Sequence, residues 1–406
     1  MEAPYELVCN VCGTRYPADG SYWVDCCAEG MLVADYPRLN VKDHLRGLWR
    51  FTDWLPVRHP GAGRVGGCTY RSEALGERLG LDDLWVAFNG WWPERGAYNP
   101  TCSFKDLEVA PTLQRLKEAD APGVIVATAG NTGRAFADMG GDVEFPVVVV
   151  CAEAHVERIW RSGAPMAPTT AVVGIAGGDY NDAIEVASAA AARTGFELEG
   201  GIKNVARRDG IGTLLLDAVT TIGRMPDHYV QAVGGGPGPV GVWGVAARLA
   251  ADGRFGGVQP RFHLAQNDTH HPVHTAWQAG RSTLDPDDVP ASGEGAYADV
   301  LVNRSPAYAL RGGLHDLLTA TRGQTYAVAA TEAASWRSAF AELEGIDIME
   351  APAVALAGLA QAVEQGEIAR DDCVLLSVTG GGVERLDRDA PLRGPGDVPL
   401  VPRAEA

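Results

Sequence analysis

Only four lysines occur in the 406-residue chain, Lys42, Lys105, Lys117 and Lys203, against 34 basic residues in all, so few amines are available to any chemistry that needs one. Lys42 and Lys117 lie in charged, helix-like surroundings, VKDHLRG and QRLKEAD, where a solvated ammonium is the ordinary outcome. Lys105 differs. It sits in Asn99-Pro100-Thr101-Cys102-Ser103-Phe104-Lys105-Asp106, among small and apolar residues where a loop gives way to the amphipathic stretch LEVAPTLQRLKEAD. Partial desolvation there lowers an amine's pKa and makes it nucleophilic toward an aldehyde. Local context alone leaves a structural lysine as the other reading.

Three further segments have the composition of ligand seats. Thr128-Ala129-Gly130-Asn131-Thr132-Gly133 ends a strand-like run and opens a helix. Backbone N–H groups and hydroxyls gathered at such a helix start suit an anion such as a carboxylate; an ordinary strand-to-helix turn is the alternative. Gly234-Gly235-Gly236-Pro237-Gly238-Pro239 follows the same strand-then-helix plan and has the look of a phosphate cradle. It lacks both the Lys-Ser/Thr of a P-loop and the spacing of a dinucleotide fingerprint, which disfavours ATP and NAD. Thr379-Gly380-Gly381-Gly382 closes the last strong strand and puts a hydroxyl at the carboxyl edge of the sheet, where open α/β folds bind ligands. Ser377, two residues earlier, points the same way along a strand and is the alternative hydroxyl.

The elements that must position these groups follow from hydrophobic patterning. Apolar runs bounded by glycine (GVIVATAGN, PVVVVCAE, TAVVGIAGGD, HYVQAVGGG, DCVLLSVTGGG) alternate with Ala-rich amphipathic stretches such as NDAIEVASAAAARTG. That is the pattern of buried parallel strands with crossover helices, hence an α/β fold. A chain of this length divides into two packed domains plus an appendage. STLDPDDVPASGEG reads as a surface loop, and the tail, 396–406, as irregular.

The formal charge of −18 repels nucleic acid and anionic membranes, so neither is expected as a partner. No 18-residue uncharged apolar run and no signal-peptide pattern is present, and cytoplasm is the expected location. Segment 1–48 reads as a small ribbon carrying Cys9-x-x-Cys12 and the adjacent Cys26-Cys27. Four cysteines suggest zinc, but neighbouring residues make strained tetrahedral ligands, and no metal is assigned. His270-His271-Pro272-Val273-His274 also invites a metal reading. Pro272 breaks the spacing of helical HExxH sites and no acid accompanies the histidines, so a cleft-lining loop facing an incoming nucleophile is expected instead.

Taken together and in this order, the motifs resemble those of fold type II pyridoxal-phosphate enzymes of the threonine synthase family, over nearly the whole chain. NPTCSFKD looks like the family's Schiff-base segment, TAGNTG like its substrate-carboxylate and cofactor O3′ loop, and GGGPGP like its cofactor-phosphate loop. GGDYNDAIEVA and GIKNVARRDGIGTLLLDAV are similar to its connecting segments. The resemblance implies a tryptophan synthase β-like architecture, with 49–110 and 205–395 in a large cofactor-binding domain and 111–204 in a small α/β domain. It implies pyridoxal 5′-phosphate on Lys105, contacts to it from Asn131, Gly234, Gly235, Gly236, Pro237, Gly238 and Thr379, and a substrate seat at Thr128, Ala129, Gly130, Asn131 and Thr132. Arg207, Arg208 and Arg304 are the candidate donors to an anionic leaving group, Arg304 being assigned to the substrate site.

Threonine synthases usually follow the motif's Asp with Arg, whereas this chain has Leu107-Glu108. That departure, with the RFTDWLPV and VNRSPAY segments, is more similar to cysteate synthases. The implied reaction is β-replacement on O-phospho-L-serine by sulfite through an aminoacrylate, giving L-cysteate and phosphate. Threonine synthesis from O-phosphohomoserine, or a dehydratase-type β-elimination, is the alternative. The resemblance further implies a homo-oligomer whose only other partners are an amino-acid substrate and a small nucleophile.

Overall fold

The computed structural model describes residues 5–18, 26–27, 30–290 and 293–403. Two mainly parallel sheets carry the fold. The larger runs in the order Gln324–Val328, Arg261–Asn267, His228–Ala232, Cys373–Val378, Asp83–Phe88, Cys68–Arg71, and only its last strand pairs antiparallel. Three strands of its centre, His228–Ala232, Arg261–Asn267 and Cys373–Val378, are buried along nearly their whole length. Burial on both faces is why Cys373–Val378, CVLLSV, shows no alternation of apolar and polar residues. The smaller sheet runs Glu197–Leu198, Val124–Thr128, Val147–Ala152, Thr170–Ile175, Leu400–Val401. Its last strand corrects one expectation: the tail is not wholly irregular, because Leu400 and Val401 pair in parallel with Gly174 and Ile175.

Three strands, Glu6–Cys9, Arg15–Pro17 and Leu32–Asp35, form a separate antiparallel ribbon. It is anchored to the main body by Tyr36, whose hydroxyl donates to Asp209 at 2.6 Å.

Helix Lys105–Glu118 is held against helix Val205–Ile222, which in turn packs on helix Pro237–Asp252. Close approach is what the glycines in these helices are for. A Cβ on Gly210 would lie 2.1 Å from the carbonyl oxygen of Leu107, and one on Gly241 would lie 2.2 Å from that of Arg208. Each glycine costs a helix interior roughly 1 kcal/mol relative to alanine, and packing offsets it. Asn204 sets the register of the central helix. Its Oδ1 caps the Arg207 N–H at 3.1 Å, while its Nδ2 donates to Thr112 on the lysine helix at 3.2 Å. Lys105 is thereby carried on a helix fixed along one side. Among the described residues no helix is long and apolar enough to cross a membrane.

Candidate active site

Lys105 opens its helix, and the loop before it is fixed by its own side chains. The buried Asp106 carboxylate accepts from the Thr101 N–H at 2.9 Å and the Thr101 hydroxyl at 2.6 Å. Burial pushes the Asp106 carboxyl up to about 7 despite those hydrogen bonds. Cys102 turns the chain at a left-handed φ of 56°. The loop is then zipped to the end of the Cys373–Val378 strand: Phe104 N–H donates to the Thr379 carbonyl at 2.9 Å, and Gly381 N–H to that of Cys102 at 3.0 Å. The glycines after Thr379 serve this approach, since a Cβ on Gly380 would fall 2.9 Å from the Cys102 carbonyl oxygen and one on Gly381 2.5 Å from that of Asp347. Lys105 and Thr379 are therefore neighbours by construction.

The Lys105 amine donates to Glu108 Oε2 at 3.2 Å and keeps 17% side-chain exposure. Desolvation is the larger influence and lowers its pKa below the ordinary lysine value; the Glu108 charge opposes it. Glu108 itself is buried and shared. It accepts from Thr132 Oγ1 at 3.0 Å, and Arg207 Nε lies 3.1 Å from its Oε2, with Arg207 also bridging to Glu199 at 2.8 Å. Glu108 was not among the residues that sequence reasoning selected. The only signal was an acid one helical turn after the lysine, and that spacing is common on solvated helix faces.

The Thr128–Gly133 segment ends its strand and starts helix Asn131–Asp142. Gly130 adopts φ 147°, ψ −87°, open only to glycine. Thr128 shapes the turn, its hydroxyl accepting from Gly130 N–H and Gly133 N–H, both at 3.0 Å. Asn131 Oδ1 accepts from Arg134 at 2.8 Å. Arg158, which sequence reasoning passed over, donates to the Ala129 carbonyl at 3.2 Å and pairs with Asp299.

The glycine loop caps helix Pro237–Asp252, with Gly236 at φ 105°. Because Pro237 and Pro239 have no N–H, the donors the loop can offer are those of Gly234, Gly235, Gly236 and Gly238. A Cβ on Gly235 would meet Asn303 Nδ2 at 2.9 Å, and one on Gly238 would meet Gln231 Nε2 at 2.4 Å and the Phe104 ring at 3.2 Å. The loop is a cradle of bare backbone beside the lysine segment. A desolvated amine, a side-chain-free cradle at a helix start and a strand-end hydroxyl suit an aldehyde cofactor that carries a phosphate.

Four expectations are corrected or refined. Arg208 does not face the lysine: its guanidinium donates to the Leu32 carbonyl of the ribbon. Arg304 stands half-exposed, 3.9 Å from Asp179. The HHPVH segment is not all loop: Pro272 begins a helix, Pro272–Gln278, as proline at a first helical position does, so His270 and His271 precede the helix and only His274 lies on it. Two of the three histidines make local contacts, His270 Nε2 lying 3.0 Å from the Asn303 carbonyl and His274 Nδ1 3.0 Å from Thr325 Oγ1. Finally, the sulfur atoms of Cys9, Cys12, Cys26 and Cys27 lie within 4.8 Å of one another, adjacency notwithstanding. A cavity of about 370 Å³, lined by Leu107, Cys68, Arg95 and Asp217, holds none of the predicted site residues.

The architecture and the lysine, cradle and hydroxyl together define a cofactor-dependent enzyme of the α/β class. Residues 71–380 match the family described as pyridoxal-phosphate dependent enzyme, and the chain belongs to that family; its cofactor is pyridoxal phosphate. It is 44% identical over 392 residues to the cysteate synthase of Methanosarcina barkeri, covering 95% of this chain and 94% of that one. The cysteate synthase of Methanothrix thermoacetophila is also 44% identical, over 393 residues, with 95% and 92% covered. Among solved structures, serine racemase from Dictyostelium discoideum superposes with a TM-score of 0.59 at 15% identity, over 78% of this chain and 92% of that one. Maize serine racemase gives the same TM-score of 0.59, also at 15% identity, over 80% and 91%. Those two likenesses speak to the fold.

The Glu108 contact gives an expected result. In Glu108→Gln, loss of the carboxylate charge should let desolvation lower the Lys105 pKa further, so recombination of the apo protein with pyridoxal phosphate should begin at lower pH than in the native chain. Stopped-flow rates against pH would show it; a profile that stays put, or moves to higher pH, would remove Glu108 from control of the amine.

Proposed function

We propose that this protein is a β-replacement synthase that converts O-phospho-L-serine and sulfite into L-cysteate and phosphate. The observation that carries this reading is the 44% identity to cysteate synthases along 95% of the chain. In the net reaction the Cβ–O bond to phosphate breaks, a Cβ–S bond to sulfite forms, and the α-proton is removed and returned, with no oxidant or reductant.

Pyridoxal phosphate, which Lys105 and the Gly234, Gly235, Gly236 and Gly238 N–H groups would hold, supplies a carbonyl for amines and a ring that accepts the electron pair released at the substrate α-carbon. The rest falls to the chain. Lys105 Nζ accepts and returns the α-proton, and its lowered pKa favours the neutral base. Glu108 orients that amine by its 3.2 Å contact. The first-turn N–H groups of Asn131 and Thr132 have no partner inside their helix, and they receive the substrate carboxylate.

Of the two hydroxyls at the end of the Cys373–Val378 strand, Ser377 is wholly buried, whereas Thr379 keeps 6% exposure. Its place just past the strand end, where the glycine run follows, supports Thr379 as the one that faces the pyridine nitrogen. A hydroxyl cannot protonate that nitrogen as a carboxylic acid can, which favours expulsion of a β-leaving group over prolonged carbanion chemistry. Arg207 and Arg304 are assigned to the anions that leave and enter. Residues 49–110 and 205–395 form the large domain in this reading and 111–204 the small one; the enzyme works as a homo-oligomer in the cytoplasm.

Incubation of the purified protein with O-phosphoserine and sulfite, followed by mass spectrometry, should give cysteate and phosphate in equal amounts, dependent on sulfite. Pyruvate formed without sulfite would assign an eliminase. Threonine from O-phosphohomoserine, with phosphoserine inert, would assign a threonine synthase.

A further inference from the structure

The ribbon is too small to hold itself. Its apolar cluster consists of Tyr5, Leu7, Cys9, Leu32, Ala34 and Tyr36 with Val205 from the main body, and segments of this size generally need a metal, disulfides or a partner. Two turns bring the four thiols together. Cys9 ends the first strand, and the chain folds back at once: Gly13 N–H donates to the Cys9 carbonyl and Cys9 N–H to that of Thr14, both at 2.9 Å, with Gly13 at φ 73°. On the other side Gly30 N–H donates to the Cys27 carbonyl at 2.9 Å. A Cβ on Gly30 would lie 2.9 Å from Val11 Cγ2, so the two turns pack face to face.

The four sulfurs then sit within 4.8 Å of one another, with Cys12 and Cys26 at 3.4 Å. All four cysteines are free, and the 3.4 Å gap is far longer than a disulfide bond of about 2.05 Å. Tetrahedral zinc at about 2.3 Å from each thiolate requires sulfurs about 3.8 Å apart. We propose that Cys9, Cys12, Cys26 and Cys27 form a tetrathiolate zinc site that staples the ribbon. Soft thiolates in a closed set of four are the donors of a structural zinc site.

The site reaches further than the ribbon. Asn10 lies between two of the ligands; its Nδ2 donates to the Arg311 carbonyl at 2.7 Å and its Oδ1 accepts from Met31 N–H at 2.8 Å. Arg311 belongs to the segment that backs the glycine cradle, where Ala307 N–H donates to the Gly235 carbonyl at 2.9 Å and Leu314 packs on Gly236. Zinc therefore holds the turn that holds the cradle. This second consequence rests on the cradle's being the cofactor-phosphate seat; the metal site does not.

Elemental analysis of the full-length protein, isolated without chelator, should find close to one zinc per chain, and Co²⁺ exchanged into it should give the absorption of a tetrahedral tetrathiolate. Cys12→Ser should lose the metal and Cys68→Ser, outside the cluster, should keep it. Asn10→Ala should keep the zinc yet release pyridoxal phosphate about three- to tenfold faster, the effect of one net hydrogen bond. No metal in the native protein even after Zn²⁺ addition under reducing conditions, or a Cys12–Cys26 disulfide in protein isolated with thiols blocked, would overturn the site; that measurement needs no variant to fold. Stoichiometric iron would overturn the choice of zinc. Unchanged cofactor release in zinc-loaded Asn10→Ala would overturn the coupling alone.

Discussion

Lys105→Ala should abolish covalent retention of the cofactor and lower turnover by at least about 10⁴-fold, because it removes the nucleophile and the general base at once. Borohydride treatment of the native holoenzyme should fix the cofactor to the peptide containing Lys105, and the variant should fix none. The other lysines are otherwise engaged or placed. Lys42 is paired with Asp53 at 2.6 Å, and Lys117 donates to the Val143 carbonyl at 3.4 Å on the surface. The variant should still fold, since Glu108 retains Thr132 and Arg207 as partners when the amine is gone. A reduced cofactor recovered on Lys42, Lys117 or Lys203 would move the active site and, with it, every role assigned around Lys105.

What the sequence made legible were the places where local chemistry leaves one solution. Glycine runs after apolar strands mark backbone that must approach something closely, and Gly235, Gly238, Gly380 and Gly381 all do so. Strands such as Val147–Ala152 and Cys373–Val378 are buried and apolar and stand out without alternation. Groups whose meaning arises only when elements converge stayed hidden. Arg207 and Arg208 are adjacent on one buried helix, about 100° apart around it, so one meets Glu108 and the other the ribbon; nothing in the dipeptide says which. Glu108 was visible only as an acid one helical turn after the lysine, in the Leu107-Glu108 departure from the threonine synthase pattern, and two of its three partners, Thr132 and Arg207, come from other helices. Leu400–Val401 is too short to carry a strand signal. Cys26 and Cys27 argued against a shared centre by adjacency, yet the opposing turns place both thiols at it.

Gly236→Val should weaken cofactor binding about 5- to 150-fold while changing the substrate KM of the reloaded enzyme by much less. Gly236 stands at φ 105°, where a β-branched residue is a steric outlier, and such strain is worth about 1–3 kcal/mol. The added Cβ would also press on Leu314, its atoms 3.1 Å away. Relief requires rotating the loop toward negative φ, which reorients the N–H groups on either side of Gly236. The strain thus falls on the cofactor phosphate and not on the Thr128–Gly133 seat, which belongs to the other sheet. Gly253→Val provides the control. It caps the far end of the same helix at φ 79° with nothing within 4 Å, so it carries comparable backbone strain without touching the cradle. Equilibrium dialysis of pyridoxal phosphate against both apo variants separates the cases: equal losses of affinity would mean that general destabilisation is being read. An unchanged dissociation constant for Gly236→Val would place the phosphate elsewhere.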